Sequence, residues 1–343
     1  MLITIGRCAL RIEKQLYKRC YFSSTVLNTQ NNDDFILQCD DNVTLRREDP
    51  KFLKVAILGL PNVGKSTLVN TLVRRNICPT SLKVHTTQHK AEAVYLEGDT
   101  QIVFVDTPGL VTNHELKKYK LMASYKQDPE VSASEADIIG VVQDVTNVYT
   151  RYKISDFVID YLKQKKEDTP LLLILNKVDK LKQKQVLLEL INKLTSNADY
   201  PKFDDIFMVS ALSGDGVNDL RTYLCDCAKA KDWQYDQNLC TDQSIDTIVV
   251  ETVRAKLLDL LQDEVPYNIQ IRLEHLDIGE DGTMNILVSL NCDKRRYQGI
   301  LLRKDGQMVK LVSQLTEKEL QHAFRTNVVI RLSVICAKEK SDK

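Results

Sequence analysis

Gly59-Leu-Pro-Asn-Val-Gly-Lys-Ser66 has the spacing G-x-x-x-x-G-K-[ST], a pattern whose chemistry is the holding of phosphate. Backbone N–H groups in such a loop wrap the α- and β-phosphates, the lysine reaches the β/γ oxygens and the hydroxyl meets Mg²⁺. Gly59, Asn62, Val63, Gly64, Lys65, Ser66 and Thr67 are the candidate contacts. Further along, Asp106-Thr-Pro-Gly109 offers a carboxylate that can hold Mg²⁺ through a water, and a Gly109 N–H that can meet a γ-phosphate. In Asn176-Lys-Val-Asp179 the Asp179 carboxylate can accept from the N1–H and N2–H₂ edge that guanine has and adenine lacks. Lys177 can lie along the purine, and Asn176 can tie this loop to the phosphate loop. In Ser210-Ala-Leu212 the Ala211 N–H could donate to guanine O6. Singly, Asp-Thr-Pro-Gly is a common turn, Asn-Lys-x-Asp could be a charged helix start capped by Asp179, and Ser-Ala-Leu says almost nothing. In this order they point together to GTP.

The elements around these clusters must bring them to one edge. Phe52–Leu58 is short, apolar and β-rich, as expected of a buried parallel strand, and Leu68, Leu72 and Val73 fall at helical spacing just after the loop. Strand, glycine loop and helix N-terminus form a ready anion site through orphan amides and the helix dipole. Strand-like runs Val55–Leu58, Ile102–Val105, Ile138–Val142, Leu171–Leu175 and Ile206–Val209 alternate with helix-like stretches, closing with a helix over Val217–Ala228. That alternation predicts an α/β fold, a P-loop domain over 51–232 with a mostly parallel sheet covered on both faces. Ligands of such sheets sit at the carboxyl ends of the strands, where every cluster above falls.

At 343 residues the chain is long enough for two domains plus tails. Net charge is zero, so nucleic-acid binding would need a local basic patch. Nine cysteines, an odd number without paired C-x-x-C spacing, disfavour zinc or a disulfide framework and suggest free thiols. No apolar run reaches the roughly 18 residues needed to span a bilayer. Residues 1–24 carry Arg7, Arg11, Lys14, Lys18 and Arg19 against the single acid Glu13, and read as a mitochondrial transit peptide cleaved near Tyr21 or, alternatively, as an amphipathic first helix. Residues 25–50 are polar and aperiodic, as a flexible linker would be, and 233–246 suit a linker between domains.

The last section, 247–343, opens with a helical stripe of Val250, Val253, Leu257, Leu258 and Leu261. Strand-like Ile269–Leu276 and Thr283–Leu290 follow, then a basic loop, a helix from about Gln307 to Phe324 and a strand over Val328–Ile335. The order α, β, β, α, α, β matches an α+β type II KH-like RNA-binding domain. Lys294, Arg295, Arg296, Arg303, Lys304 and Lys310 crowd one short region, opposed mainly by Asp293 and Asp305. They could contact several phosphates, or be only a solvated face.

The nucleotide clusters resemble those of translation-factor-related GTPases. Gly59-x-Pro-Asn-Val-Gly-Lys-Ser66 with Thr86-Thr-Gln-His89, and Glu264-x-Pro-Tyr267 in the second half, resemble the Era family in particular. That resemblance implies a GTPase with GTP/GDP and Mg²⁺ as ligands, Ser66, Asp106 and Thr87 at the metal, and Lys65, Thr87 and Gly109 serving catalysis. Thr86 competes with Thr87 by one register. Asn62 accompanies K⁺ in some relatives, or serves loop geometry through side-chain-to-backbone bonds. Leu110 stands where signalling GTPases carry a water-positioning glutamine, which implies slow intrinsic hydrolysis. His85 and His114 could assist or be surface residues. KH domains clamp nucleic-acid backbone with a G-x-x-G turn. The aligned segment here is Arg303-Lys-Asp-Gly306, which keeps Gly306 and lacks the first glycine. The resemblance further implies small-subunit ribosomal RNA and the assembling mitochondrial small subunit as partners, a monomer, and a matrix location with peripheral association to the inner membrane. Two other functions fit parts of the chain: a tRNA-modification GTPase, which shares the phosphate-loop variant, and a nucleotide-dependent interaction protein that does not bind RNA.

Overall fold

The computed structural model describes residues 36–38, 49–81, 83, 90–107, 134–163, 168–197, 199–262 and 264–336. A nine-stranded sheet is followed by a three-stranded one. Strands β2 (Lys51–Leu58), β4 (Thr100–Asp106), β5 (Ile138–Asp144), β6 (Leu171–Asn176) and β7 (Asp205–Val209) run parallel in the order β4-β2-β5-β6-β7. β3 (Ala91–Glu97) joins β4 antiparallel.

Alternation along each strand assigns its two faces. Val55 and Ile57 of β2, with Leu172 and Ile174 of β6, pack with Leu68 and Leu72 of α1 (Lys65–Val73) and Leu220 and Leu224 of α4 (Val217–Cys227). Ala56, Leu58, Leu171, Leu173 and Leu175 pack with Val158 and Leu162 of α2 (Asp156–Leu162) and Leu187, Leu190 and Leu194 of α3 (Gln185–Thr195). Because both faces are covered, the strands read as nearly unbroken apolar runs. Each such leucine contributes about 1.5–3 kcal/mol by leaving water, so α3 is held by its buried stripe and not by helix propensity alone.

Register does the positioning. Ile57 lies level with Asp106 and with Gly140, Asp144 with Asn176, and Asn176 with Val209. The carboxyl ends of β2, β4, β5, β6 and β7 therefore open onto one edge.

The segment expected as a linker between domains, 233–246, is pinned to the sheet together with the residues just before it. β8 (Lys229–Ala230) pairs with β2, and Trp233 Nε1 donates to the Asp99 carbonyl at 3.0 Å. The Tyr235 hydroxyl donates to Glu92 at 2.6 Å. β9 (Leu239–Ser244) then pairs with β3 and with β1 (Ile36–Gln38), which lies inside the stretch expected as the first linker. Isolated aromatics here are anchors: Tyr235 packs on Phe52, Val94 and Val103. Cys240 is disulfide-bonded, which corrects the expectation of free thiols throughout.

The Ser244 side chain accepts from Thr247 N–H and caps α5 (Ile245–Leu260). β10 (Ile269–Ile278) and β11 (Met284–Cys292) are antiparallel, while β12 (Val328–Cys336) runs parallel to β11. Alternate residues Met284, Ile286, Val288 and Leu290 are buried beneath α5 and α6, as a half-buried sheet requires. The basic segment expected as a loop is helical, and the two expected helices follow one another within a single span, α6 (Arg295–Phe324). Within it Asp305 (φ 54°) and Gly306 (φ 74°) take left-handed backbone. Two consecutive left-handed residues, which aspartate and glycine tolerate, interrupt the right-handed path and offset the axis into two helical halves.

Candidate functional site

Asn176, at the end of β6, organises the site. Its Nδ2 donates to the Val63 carbonyl at 2.8 Å, and its Oδ1 accepts from Lys177 N–H at 2.8 Å and Ala211 N–H at 3.0 Å. One buried amide thus joins the phosphate loop, the Asn176–Asp179 loop and the Ser210–Leu212 loop. Gly64 is required opposite it: φ is 96°, and an added Cβ would lie 2.4 Å from Asn176 Nδ2. The Ala211 amide, expected as a donor to guanine O6, here donates to Asn176. That bond ties the Ser210–Leu212 loop to β6.

A cavity of about 190 Å³ lies between these loops, lined by Asn62, Gly64, Thr67, Asn176, Lys177, Asp179, Ala211 and Leu212 together with Ser81 and Lys180. All but the last two were expected from the sequence. Asp179 enters on a single 3-10 turn, Val178–Lys180, after Lys177 at φ 68°. Leu212 is 79% exposed at the mouth, whereas Ser210 is buried and binds Ser213 N–H through its hydroxyl. Lys177 Nζ donates to the Asn62 carbonyl and to Asp144, both at 2.6 Å. Asp144 was not foreseen. It also accepts from Thr146 N–H and hydroxyl at 2.8 and 2.6 Å, and although burial opposes the charge, these donors and Lys177 hold its carboxyl below the usual range. Its only sequence signal was an aspartate at the end of an apolar strand.

At the phosphate end, Lys65 is buried and donates to the Gly59 and Leu60 carbonyls at 3.2 and 3.1 Å. Burial pushes its ammonium down to about 8 against the opposing pull of Asp106. Ser66 donates to Asp106 Oδ2 at 2.6 Å. Asp106 is fully buried, and desolvation raises its pKa in spite of Lys65 and Ser66. Its Oδ1 has no well-formed hydrogen bond, since the neighbouring Cys78 thiol is too weak a donor to satisfy it. An unsatisfied carboxylate oxygen beside a serine hydroxyl fits a hard divalent cation or its water. Asn62 sits at φ 60°, a conformation asparagine tolerates, which accounts for its loop role. Thr86, Thr87, His85, Gly109, Leu110 and His114 lie outside the described residues.

On the second domain Lys294, Arg295, Arg296, Arg303 and Lys310 are all exposed at or along α6, with Gly306 at its offset. Nothing is described of the Lys304 side chain. Arg296 is committed to Glu264 at 2.8 Å and to the Tyr297 hydroxyl at 2.8 Å, an acidic partner that proximity in sequence did not reveal.

The phosphate loop, the buried acid beside its serine and the asparagine-centred base pocket define a P-loop GTPase carrying a KH-like domain. A family model described as 50S ribosome-binding GTPase matches residues 54–177. The chain is 34% identical to "GTPase Era, mitochondrial" of Danio rerio, covering 84% of this chain and 76% of that protein. It is 31% identical to "GTPase Era" of Clostridium botulinum, covering 84% and 93%. A solved structure of Era in complex with MgGDPNP and nucleotides 1506–1542 of 16S ribosomal RNA superposes with a TM-score of 0.70 at 26% identity, covering 84% of this chain and 95% of that one. The chain belongs to the Era family of GTPases.

Proposed function

We propose that this GTPase binds small-subunit ribosomal RNA in mitochondria through its KH-like domain and assists assembly of that subunit, with GTP state setting the strength of the grip. The observation that carries it is the triple tie of Asn176, which makes the base pocket and phosphate loop one rigid receptor, set on the same chain as an exposed basic helix. The solved complex of Era with ribosomal RNA and the mitochondrial relatives support the partner and compartment.

In this reading Lys65 leaves the Gly59 and Leu60 carbonyls for the β/γ oxygens, and loop amides stabilise charge developing on the transferred phosphoryl group. Ser66 and Asp106 would hold Mg²⁺, joined by Thr87, with Gly109 at the γ-phosphate. That ion, when bound, neutralises charge on the β- and γ-oxygens. Asp179 selects guanine. A K⁺ ion beside Asn62 belongs to the same proposal, and equal GTPase rates in Na⁺ and K⁺ remove it.

RNA crosslinking in intact organelles tests the whole reading. Small-subunit ribosomal RNA joined to peptides between Gln298 and Lys310 is the expected result. Recovery of no RNA above background would leave a nucleotide-dependent protein module instead.

A further inference from the structure

The last rung shared by β11 and β12 pairs Cys292 with Cys336. Both are reduced. On β11 the even-numbered residues from Met284 to Cys292 are all buried on the helix-covered side, and on β12 the same parity runs from the buried Val328 and Ile330 to Cys336. Register partners on parallel strands point to one side of the sheet, so the two cysteine side chains stand next to each other on that side. Neighbouring strands lie about 4.8 Å apart, inside the Cα separation of about 4.4–6.8 Å that a disulfide spans. Burial differs between them: Cys292 is 1% exposed, whereas Cys336 is partly open to solvent. Burial, with the nearby Cys336 and Asp293 adding to it, pushes the Cys292 thiol up to about 11.

We infer that Cys292 and Cys336 form a reversible dithiol/disulfide site, oxidised by small disulfides of the glutathione class. The accessible Cys336 thiolate attacks one sulfur of the oxidised glutathione and expels a glutathione thiolate, leaving a mixed disulfide on Cys336. The Cys292 thiolate then attacks the Cys336 sulfur and expels the second glutathione. Two protein thiols lose two electrons and two protons, and one glutathione disulfide becomes two glutathione thiols. Attack from the partly exposed Cys336 comes first because access controls the rate. Asp293 and Lys294 follow Cys292 directly, so the bond fixes the point from which α6 and its basic residues depart.

The full chain is equilibrated in glutathione buffers of increasing oxidised fraction, quenched with acid, and mapped by mass spectrometry without reduction. A peptide pair linked through Cys292 and Cys336, lighter by two hydrogens than the separate peptides and restored by reducing buffer, is expected to replace most of the reduced form. Cys336→Ser should lose the link without gaining an adduct at Cys292. Cys292→Ser should instead accumulate a stable glutathione adduct on Cys336, because the resolving thiol is gone. GTP binding, measured on the same samples, reports that each variant is folded. A glutathione adduct that persists on Cys336 of the unsubstituted chain, or reduced thiols at both positions in fully oxidising buffer, overturns the inference.

Discussion

Lys65 carries a cost that a phosphate can remove. Its folded pKa of about 8 lies below the 10.5 of a free lysine, so between those values the unfolded chain holds more protons at this position than the nucleotide-free fold. Stability of the nucleotide-free protein should therefore rise with pH through that window, the penalty being fully present below about 8. An anion seated at Lys65 reverses the preference. Nucleotide binding near pH 8 should draw a proton onto the lysine, and GTP affinity should fall as pH rises further. Calorimetry in buffers of different ionisation enthalpy reads that uptake; a binding heat independent of buffer would refute it. At the base, Asp179→Asn should weaken GTP on the order of 10- to 100-fold, the worth of a bidentate base contact, and favour xanthosine triphosphate. Unchanged GTP affinity would remove Asp179 from recognition. These residues were legible because a backbone loop, a lysine and a carboxylate at fixed offsets each answer to one feature of the ligand. Asp144 was not legible, since its task is to hold Lys177 across two strands and no local pattern marks it. The bond from Ala211 N–H to Asn176 was not legible for a related reason: which partner a backbone N–H takes depends on where Asn176 points.

Elements whose signal is periodic were legible as elements. β2, β4, β5, β6 and β7 were readable as apolar runs because both faces are buried, and β10 to β12 because one is. β9 was missed because its sequence, Leu-Cys-Thr-Asp-Gln-Ser, is polar, and its pairing is set by an edge that β3 leaves open. The turn expected at Arg303–Gly306 shows as left-handed backbone at Asp305 and Gly306, residue types that tolerate it. The stretch after α1 shows what such elements can transmit. Asn70 holds Cys78 through both backbone groups, and Ser81, which lines the base pocket, donates to Asp259 of α5 at 2.6 Å. Lys83 reaches the Leu261 carbonyl at the end of α5, and Asn76 N–H donates to His322 of α6 at 3.3 Å. Nucleotide loop and KH-like helices therefore share a hydrogen-bonded seam. Asp259→Ala should leave GTPase turnover near that of the unsubstituted chain while shrinking the difference in RNA affinity between GTP and GDP states by about 2- to 10-fold, the worth of one such bond. Titrating labelled RNA in both nucleotide states measures it. A difference in affinity that survives intact places the coupling elsewhere.

At the scale of the whole molecule the balance of charge matters, because a neutral chain can hold RNA only through a local concentration of basic residues. Along α6 that concentration is uneven. Arg303 and Lys310 are exposed, whereas Arg296 is tied to Glu264 and shares the Tyr297 hydroxyl. A lysine or arginine that neutralises a phosphate releases condensed counterions, and for single strands each contact contributes about 0.7 to the slope of log affinity against log salt. Arg303→Ala with Lys310→Ala should therefore flatten that slope by about 1.4 and weaken binding across different RNA sequences alike. Arg296→Ala should flatten it less than Arg303→Ala does, because its guanidinium must first part from Glu264, and the freed carboxylate then repels phosphate. Filter binding over a tenfold range of salt separates these outcomes. Identical slopes for the unsubstituted chain and the double variant would move the RNA interface off α6, and with it the reason for joining this helix to a nucleotide switch.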